Sequence, residues 1–372
     1  MRRREFLINS SRAAVGFSLL PLTGYGQQAA DARRSFLEAR VAEWDSNIPQ
    51  WLQDTKLPGA SMVLIDDGKI FWQREFGVKN ADTKEPVDRD TVFANCSNTK
   101  PVFAYAVVKL CEKGVMDLDT PLTKYTSKRF LEGDPQLDLI TARHVLNHTT
   151  GFPNWRNDQE PLAIQFTPGT QRQYSGEGFY YLQSVVEEVT KKPFVQLMHE
   201  NILEPFGMTS SRLVWDGDET FARRVATGHD AEGKVIKTPT RTAEEKARGL
   251  ATYGAAAMLH STATDYTKFL LEILNPKPAD AFRLNENSWR EYLRPQFKRD
   301  EITSSSLGWL VAQVNGLTAF THAGADAGWN CDAKASTDRK SGILIMTNGD
   351  NFLPFYEKLK LDVEFLTFLF KA

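Results

Sequence analysis

The chain has 372 residues, 41% apolar and 25% charged; this is the composition of a folded globule and excludes a disordered, collagen-like or polytopic membrane protein. Lys+Arg 45 against Asp+Glu 47 leaves a net charge of −2, so no global attraction to nucleic acid arises. Three cysteines without a C-x-x-C pair exclude a disulfide scaffold and a zinc ribbon.

Arg2, Arg3 and Arg4 lead into an apolar run from about Ala13 to Leu22, followed by Gly24 and Gly26. Basic, apolar and small residues in that order predict a secretory leader over 1–26. Arg3-Arg4-Glu5-Phe6-Leu7 resembles the twin-arginine motif of bacterial export, which places the protein in the periplasm. The apolar run is well short of the ~20 residues that span a bilayer, so no stable membrane insertion is expected. Apolar residues at helical spacing predict a helix over 32–54, with Pro49 expected to kink or split it. Alternation predicts strands over 60–65 and 69–76, joined at Asp66-Asp67-Gly68 as a hairpin. A helix follows over 97–114. Residues ~120 to ~300 read as mostly helical, with helices over 141–147, 179–191, 193–202 and 264–274. Short alternating runs return at 308–314, 317–322, 330–335 and 342–347, before a last helix over 354–370. Strands at both chain ends imply an α+β fold. An antiparallel sheet built from both ends and flanked by helices (33–120 and 305–372) carries a mostly helical inserted region (121–304), all in one domain, 33–372.

No G-x-S-x-G elbow, H-E-x-x-H helix or phosphate loop occurs, and the six histidines form no ligand-spaced set, so neither metal nor organic cofactor is expected. One nucleophile arrangement stands out, Ser97-Asn98-Thr99-Lys100. Three residues are nearly one helical turn, which puts Ser97 and Lys100 on one face. A helix start offers free N–H groups to a developing oxyanion, and a desolvated lysine can serve as base to a serine. Cys96, beside it, reads as a small buried apolar residue rather than a nucleophile.

The tetrapeptide has company. Leu57-Pro58-Gly59-Ala60 and Pro86-Val87 with Thr91-Val92-Phe93 precede it. Downstream come Leu146-Asn147-His148-Thr149-Thr150-Gly151-Phe152-Pro153, then Pro168-Gly169 with Tyr174-Ser175-Gly176, then Thr321-His322-Ala323-Gly324-Ala325 with Gly328-Trp329. In order and spacing, over about residues 40–370, these resemble the serine β-lactamase and D-alanyl peptidase superfamily. The similar branch holds class C β-lactamases, D-aminopeptidases and family VIII esterases, and it implies a β-lactamase/transpeptidase-like fold.

The resemblance implies Ser97 as acylated nucleophile, Lys100 as its proton acceptor, and Tyr174 as general base or relay with a phenol kept acidic by the lysine. It implies an oxyanion hole from the N–H groups of Ser97 and Ala325. Substrate contacts are expected from His322, Gly324 and Gly176. His148 reads as structural, bonded within its own turn. Gly176 stands where the family pattern has Asn, and His322 where many β-lactamases have Lys. The expected function is an exported serine hydrolase acting on a small ester, with weak or no β-lactam turnover. A D-peptidase, amidase or β-lactamase is the alternative within enzymes, and a catalytically silent binding protein on the same scaffold the alternative outside them.

Overall fold

Leu37, Trp44, Ile48 and Leu52 are all buried at helical spacing, and this stripe seats helix α1 (Leu22–Thr55) on a sheet. The computed structural model describes residues 22–157, 161–214, 217–237, 242–314 and 316–371; most of the expected leader, residues 1–21, lies outside the described residues. Helix α1 runs on past Pro49 without the split that was one of the two expected outcomes there. The apolar residues on either side of the proline, Ile48 and Leu52, are packed into one core, and tertiary packing overrides the lost backbone bond.

Strands β1 (Gly59–Asp66) and β2 (Lys69–Gly77) form the expected hairpin, turning through Asp67 and Gly68 with φ of 50° and 68°. Strand β3 (Phe93–Ala94) and a 3₁₀ turn (Cys96–Asn98) then lead into α2 (Thr99–Glu112). The inserted region carries α3 (Ala142–Leu146), α4 (Gly176–Thr190), α5 (Phe194–Met198), α6 (Glu219–Ala222) and α7 (Ala243–Ala257). Strand β4 (His260–Ser261), which pairs with β3, precedes α8 (Ala263–Leu274) and α9 (Glu286–Leu293). The chain then returns as β5 (Phe297–Lys298), β6 (Thr303–Ser305), β7 (Leu310–Val314), β8 (Leu317–Asp326), β9 (Trp329–Ser336) and β10 (Ser341–Thr347). It closes with α10 (Phe352–Lys358) and α11 (Val363–Phe370). The single last helix of the sequence reading is thus two. Lys360 takes φ of 52° after the first, and the Asp362 side chain caps the second.

The main sheet is antiparallel with order β2-β1-β10-β9-β8-β7-β6-β5. Both ends of the chain meet in it near one edge, where β1, second in the order, pairs with β10 from Ala60↔Thr347 to Ile65↔Gly342. Met62, Leu64, Ile343 and Ile345 face α1, α10 and α11. Val63, Ile65, Leu344 and Met346 face the core shared with the inserted region. Every residue of α2 from Thr99 to Leu110 is buried, so this helix is the seam between sheet and insertion. The α+β architecture matches the expectation. Helices α6, α7 and α9 were missed within the region read as mostly helical.

Candidate active site

The turn that opens α2 is tied down from three directions. Asn95 donates its backbone N–H to Leu259 O at 2.9 Å. The Thr99 hydroxyl donates to Cys96 O at 2.7 Å and accepts from the Leu259 N–H at 3.0 Å. The Asn98 amide donates to Cys331 O on β9 at 2.8 Å, and the Tyr266 hydroxyl donates to Asn98 O at 3.1 Å. Cys96 is forced to φ of 48°, a left-handed conformation rare for a residue with a Cβ. Between Thr91 and Leu110, Ser97 is the one residue that is not buried. It lies in the 3₁₀ turn rather than in α2 itself, a shift of one short turn from the expected helix start.

Lys100 reaches back along the first turn. Its Nζ donates to Ser97 Oγ at 3.3 Å and to Ala256 O at the end of α7 at 2.9 Å, with the residue 1% exposed. The same Nζ lies over the faces of Tyr174 and Phe179, 4.8 Å and 5.4 Å from the ring centroids. The Tyr174 hydroxyl is buried and has no hydrogen-bond partner among the described residues, which leaves it free for a group entering the site. The structure therefore brings Ser97, Lys100 and Tyr174 together.

Tyr174 is held by a residue whose role the sequence did not reveal. The His148 carbonyl accepts from the Gln173 N–H at 2.9 Å, and its Nδ1 accepts from the Ser175 N–H at 3.2 Å. The imidazole lies against the Tyr174 ring with centroids 4.4 Å apart. Both peptide neighbours of Tyr174 thus hang on His148, which bonds across to the second motif and not only within its own turn. Burial pushes its pKa well below 6.5, with Arg172, Lys100 and His322 adding repulsion; this neutral ring can accept the Ser175 bond.

Strand β8 forms the opposite wall. Its pairing with β7 stops at Leu310↔Thr321, whereas pairing with β9 continues to Asp326↔Trp329. Residues 322–326 thus have no strand on the β7 side. Alternation of the antiparallel ladder, counted from Asp326↔Trp329 across the two-residue turn, aims the Ala323 and Ala325 N–H groups at that open edge. Gly324 packs on the Ser97 turn so closely that a Cβ there would stand 2.3 Å from Asn95 O and 2.8 Å from Ser97 N. His322, 9% exposed, lies with its ring centroid 6.5 Å from that of Tyr174. Burial, then Lys100, pushes its pKa down to about 3, so it is uncharged at neutral pH.

Gly176 begins α4, and the space beside it is taken: a Cβ would lie 2.2 Å from Cζ2 of Trp155. Sequence reading registered the missing Asn but not this indole, because nothing in the spacing links 155 to 176. Nor did it find α7, whose Ala256 carbonyl holds Lys100; its Gly- and Ala-rich run carries a weak apolar stripe. Burial raises the Cys96 and Cys111 thiols to about 12 and that of Cys331 well above 9, so none supplies a ready thiolate. Among the described residues no group of three His, Cys, Asp or Glu is placed to hold a metal ion, and no helix is long and apolar enough to cross a membrane.

Similarity to known proteins extends over most of the chain. A family model described as Beta-lactamase matches residues 44–364. Esterase EstB of Burkholderia gladioli is 28% identical over 228 residues, 53% of this chain and 57% of EstB. Protein flp of Staphylococcus aureus (strain MRSA252) is 21% identical over 321 residues, 82% of this chain and 62% of flp. The match thus spans less than two thirds of the length of these curated relatives. The octameric penicillin-binding protein homologue from Pyrococcus abyssi superposes with a TM-score of 0.72 at 22% identity, covering 86% of this chain and 76% of that one. D-alanine carboxypeptidase AmpC from Burkholderia cenocepacia superposes with a TM-score of 0.70 at 19% identity, covering 89% and 97%.

Proposed function

The chain belongs to the beta-lactamase family, and from that premise we propose that it is a serine hydrolase working through an acyl-enzyme at Ser97, with esters as its preferred substrates. The observation that carries this reading is the contact of Lys100 Nζ with Ser97 Oγ at 3.3 Å inside an otherwise buried turn. In the proposed reaction Ser97 Oγ attacks the substrate carbonyl and its proton passes to Lys100. The oxyanion sits between the N–H groups of Ser97 and Ala325, donors fixed before the charge develops. The C–O bond of the ester breaks, and the departing alkoxide takes a proton through Lys100 and the unpartnered Tyr174 hydroxyl. Water then adds to the acyl-enzyme by the same proton path, releasing acid and Ser97.

Two features favour esters over β-lactams and D-peptides, which need an amide partner and a carboxylate anchor. Gly176 supplies no side-chain amide, and a missing partner in a desolvated site costs about 1–3 kcal/mol. His322 is uncharged, with its pKa held at about 3, and anchors a carboxylate poorly. An ester needs neither. The esterase among the relatives points the same way.

Intact mass after fluorophosphonate treatment tests the nucleophile. One adduct mapping to Ser97 and absent from Ser97→Ala is expected; an adduct elsewhere overturns the assignment. Comparing kcat/KM for p-nitrophenyl butyrate, a chromogenic cephalosporin and a D-alanyl peptide tests the substrate class. Faster turnover of the cephalosporin or the peptide rejects the ester reading. Export by the twin-arginine route belongs to the same proposal: replacing Arg3 and Arg4 by Lys should leave precursor in the cytoplasm, and undisturbed periplasmic delivery would count against it.

A further inference from the structure

Gly176 does not have a left-handed φ, so its backbone accepts any side chain. What excludes one is the Trp155 indole, whose Cζ2, Cη2 and Cε2 would lie 2.2, 2.5 and 2.6 Å from a Cβ at this position. The indole is a fixed plate, because the residues around it are tied to the start of α4. Asn154 O accepts from the N–H groups of Gly176 and Glu177 at 2.9 and 2.8 Å. Pro153 O accepts from the Ser175 hydroxyl at 2.8 Å. On the other side, Arg156 donates its Nε and backbone N–H to the wholly buried Glu177 carboxylate at 2.7 and 3.1 Å.

Trp155 meets Tyr253 edge to face, with ring centroids 4.7 Å apart at 78°. Tyr253 is 41% exposed and stands on α7 three residues before Ala256, the carbonyl that holds Lys100. The aromatic pair therefore bridges the two segments that carry Tyr174 and position Lys100. It offers half-exposed ring surface in the place from which a polar side chain at 176 would project.

We propose that Trp155 and Tyr253 form an aromatic subsite that selects esters bearing a flat aromatic acyl group; this rests on the hydrolase reading above. Aromatic rings seat against one another edge to face or offset, and such pairs discriminate beyond the area they bury. The acyl part stays on Ser97 through both chemical steps, whereas the alcohol leaves after the first. A wall fixed by backbone hydrogen bonds therefore acts on the acyl part throughout. The glycine at 176 and the tryptophan at 155 are then one device: the small residue makes room for the ring.

The test holds the leaving group constant and varies the acyl group, comparing kcat/KM for p-nitrophenyl phenylacetate and p-nitrophenyl acetate. The phenylacetate-to-acetate ratio should fall at least tenfold in Trp155→Ala and several-fold in Tyr253→Ala, while Trp155→Phe should recover most of it. Tyr253 is partly exposed, so its variant reads the subsite even where Trp155→Ala folds poorly. A ratio unchanged in Tyr253→Ala and in a folded Trp155→Ala overturns the subsite. Ester hydrolysis that survives Ser97→Ala overturns the underlying hydrolase reading instead, whatever the ratio.

Discussion

At the scale of single residues, the proposed chemistry depends on three side chains that share one proton path. Lys100→Ala and Tyr174→Phe are each expected to lower kcat by about 10²–10⁴-fold, the usual contribution of a positioned acid or base. Their combination should cost little more than the worse single change, because both act on the same proton; losses that multiply in the double variant would rule out a shared relay. Ser97 and Lys100 were legible in the sequence because their spacing is itself the geometry, three residues on one turn. Tyr174 was legible only through the ordered motifs, since 74 positions separate it from Lys100. His148 was legible as structural and bonded within its own turn, but its further bond to the Ser175 N–H was not, because it joins two loops whose proximity no local pattern encodes. Trp155 was not seen at all, for the same reason.

The element that matters most to the site is β8, which is longer than its neighbour β7 and leaves residues 322–326 facing the Ser97 turn. Gly324→Ala is predicted to push the strand off that turn, because the new methyl would stand 2.3 Å from one backbone atom and 2.8 Å from another. Neither contact is a flexible side-chain end that can swing aside. Overpacking of this kind costs about 1–3 kcal/mol. Activity should fall further, by about 10²–10³-fold, as the Ala325 donor loses its aim. Thermal denaturation and kcat/KM measured together check this; wild-type turnover in the variant would remove β8 from the oxyanion site. Alternation identified this strand but ended it at 322, four residues early. The segment beyond is Ala323-Gly324-Ala325-Asp326, small residues without apolar alternation, which the strand signal does not register. Helices fared similarly: α4 and α8, with long apolar faces, were read to within a few residues, whereas the short and largely polar α9 was not. Nor was helix α7, with its Gly- and Ala-rich sequence.

For the molecule as a whole, desolvated histidines set the response to acid: His148, His229 and His322 are buried, and His144 and His260, though partly exposed, are also held below the usual imidazole range. His322 is held at about 3 and His260 at about 4, in each case mainly by desolvation, and His148 is held well below 6.5. An unfolded histidine takes its proton near 6.5, so between that pH and the depressed values the unfolded chain binds more protons than the folded one. Their contribution is present above about pH 6.5 and is lost as pH falls, by up to about 1.4 kcal/mol per unit for each histidine. Tm should therefore drop steeply from pH 7 to pH 4.5, and less steeply in His260→Gln; a flat profile would mean that these rings are not held neutral. The joining of the two chain ends at β1 and β10 also has a consequence in time. The partners in that pairing are separated by roughly 280 residues, and contacts of such long range slow folding because the loop must close before they reward it. During synthesis Ser97 and Lys100 leave the ribosome more than two hundred residues before β8 and β9 do. Until then the turn lacks both the Gly324 backing and the Cys331 carbonyl that ties down Asn98. On the proposed reading, a nascent chain thus carries Ser97 without the Ala325 donor for most of its synthesis, and hydrolytic competence would switch on only when β8 and β9 have been made.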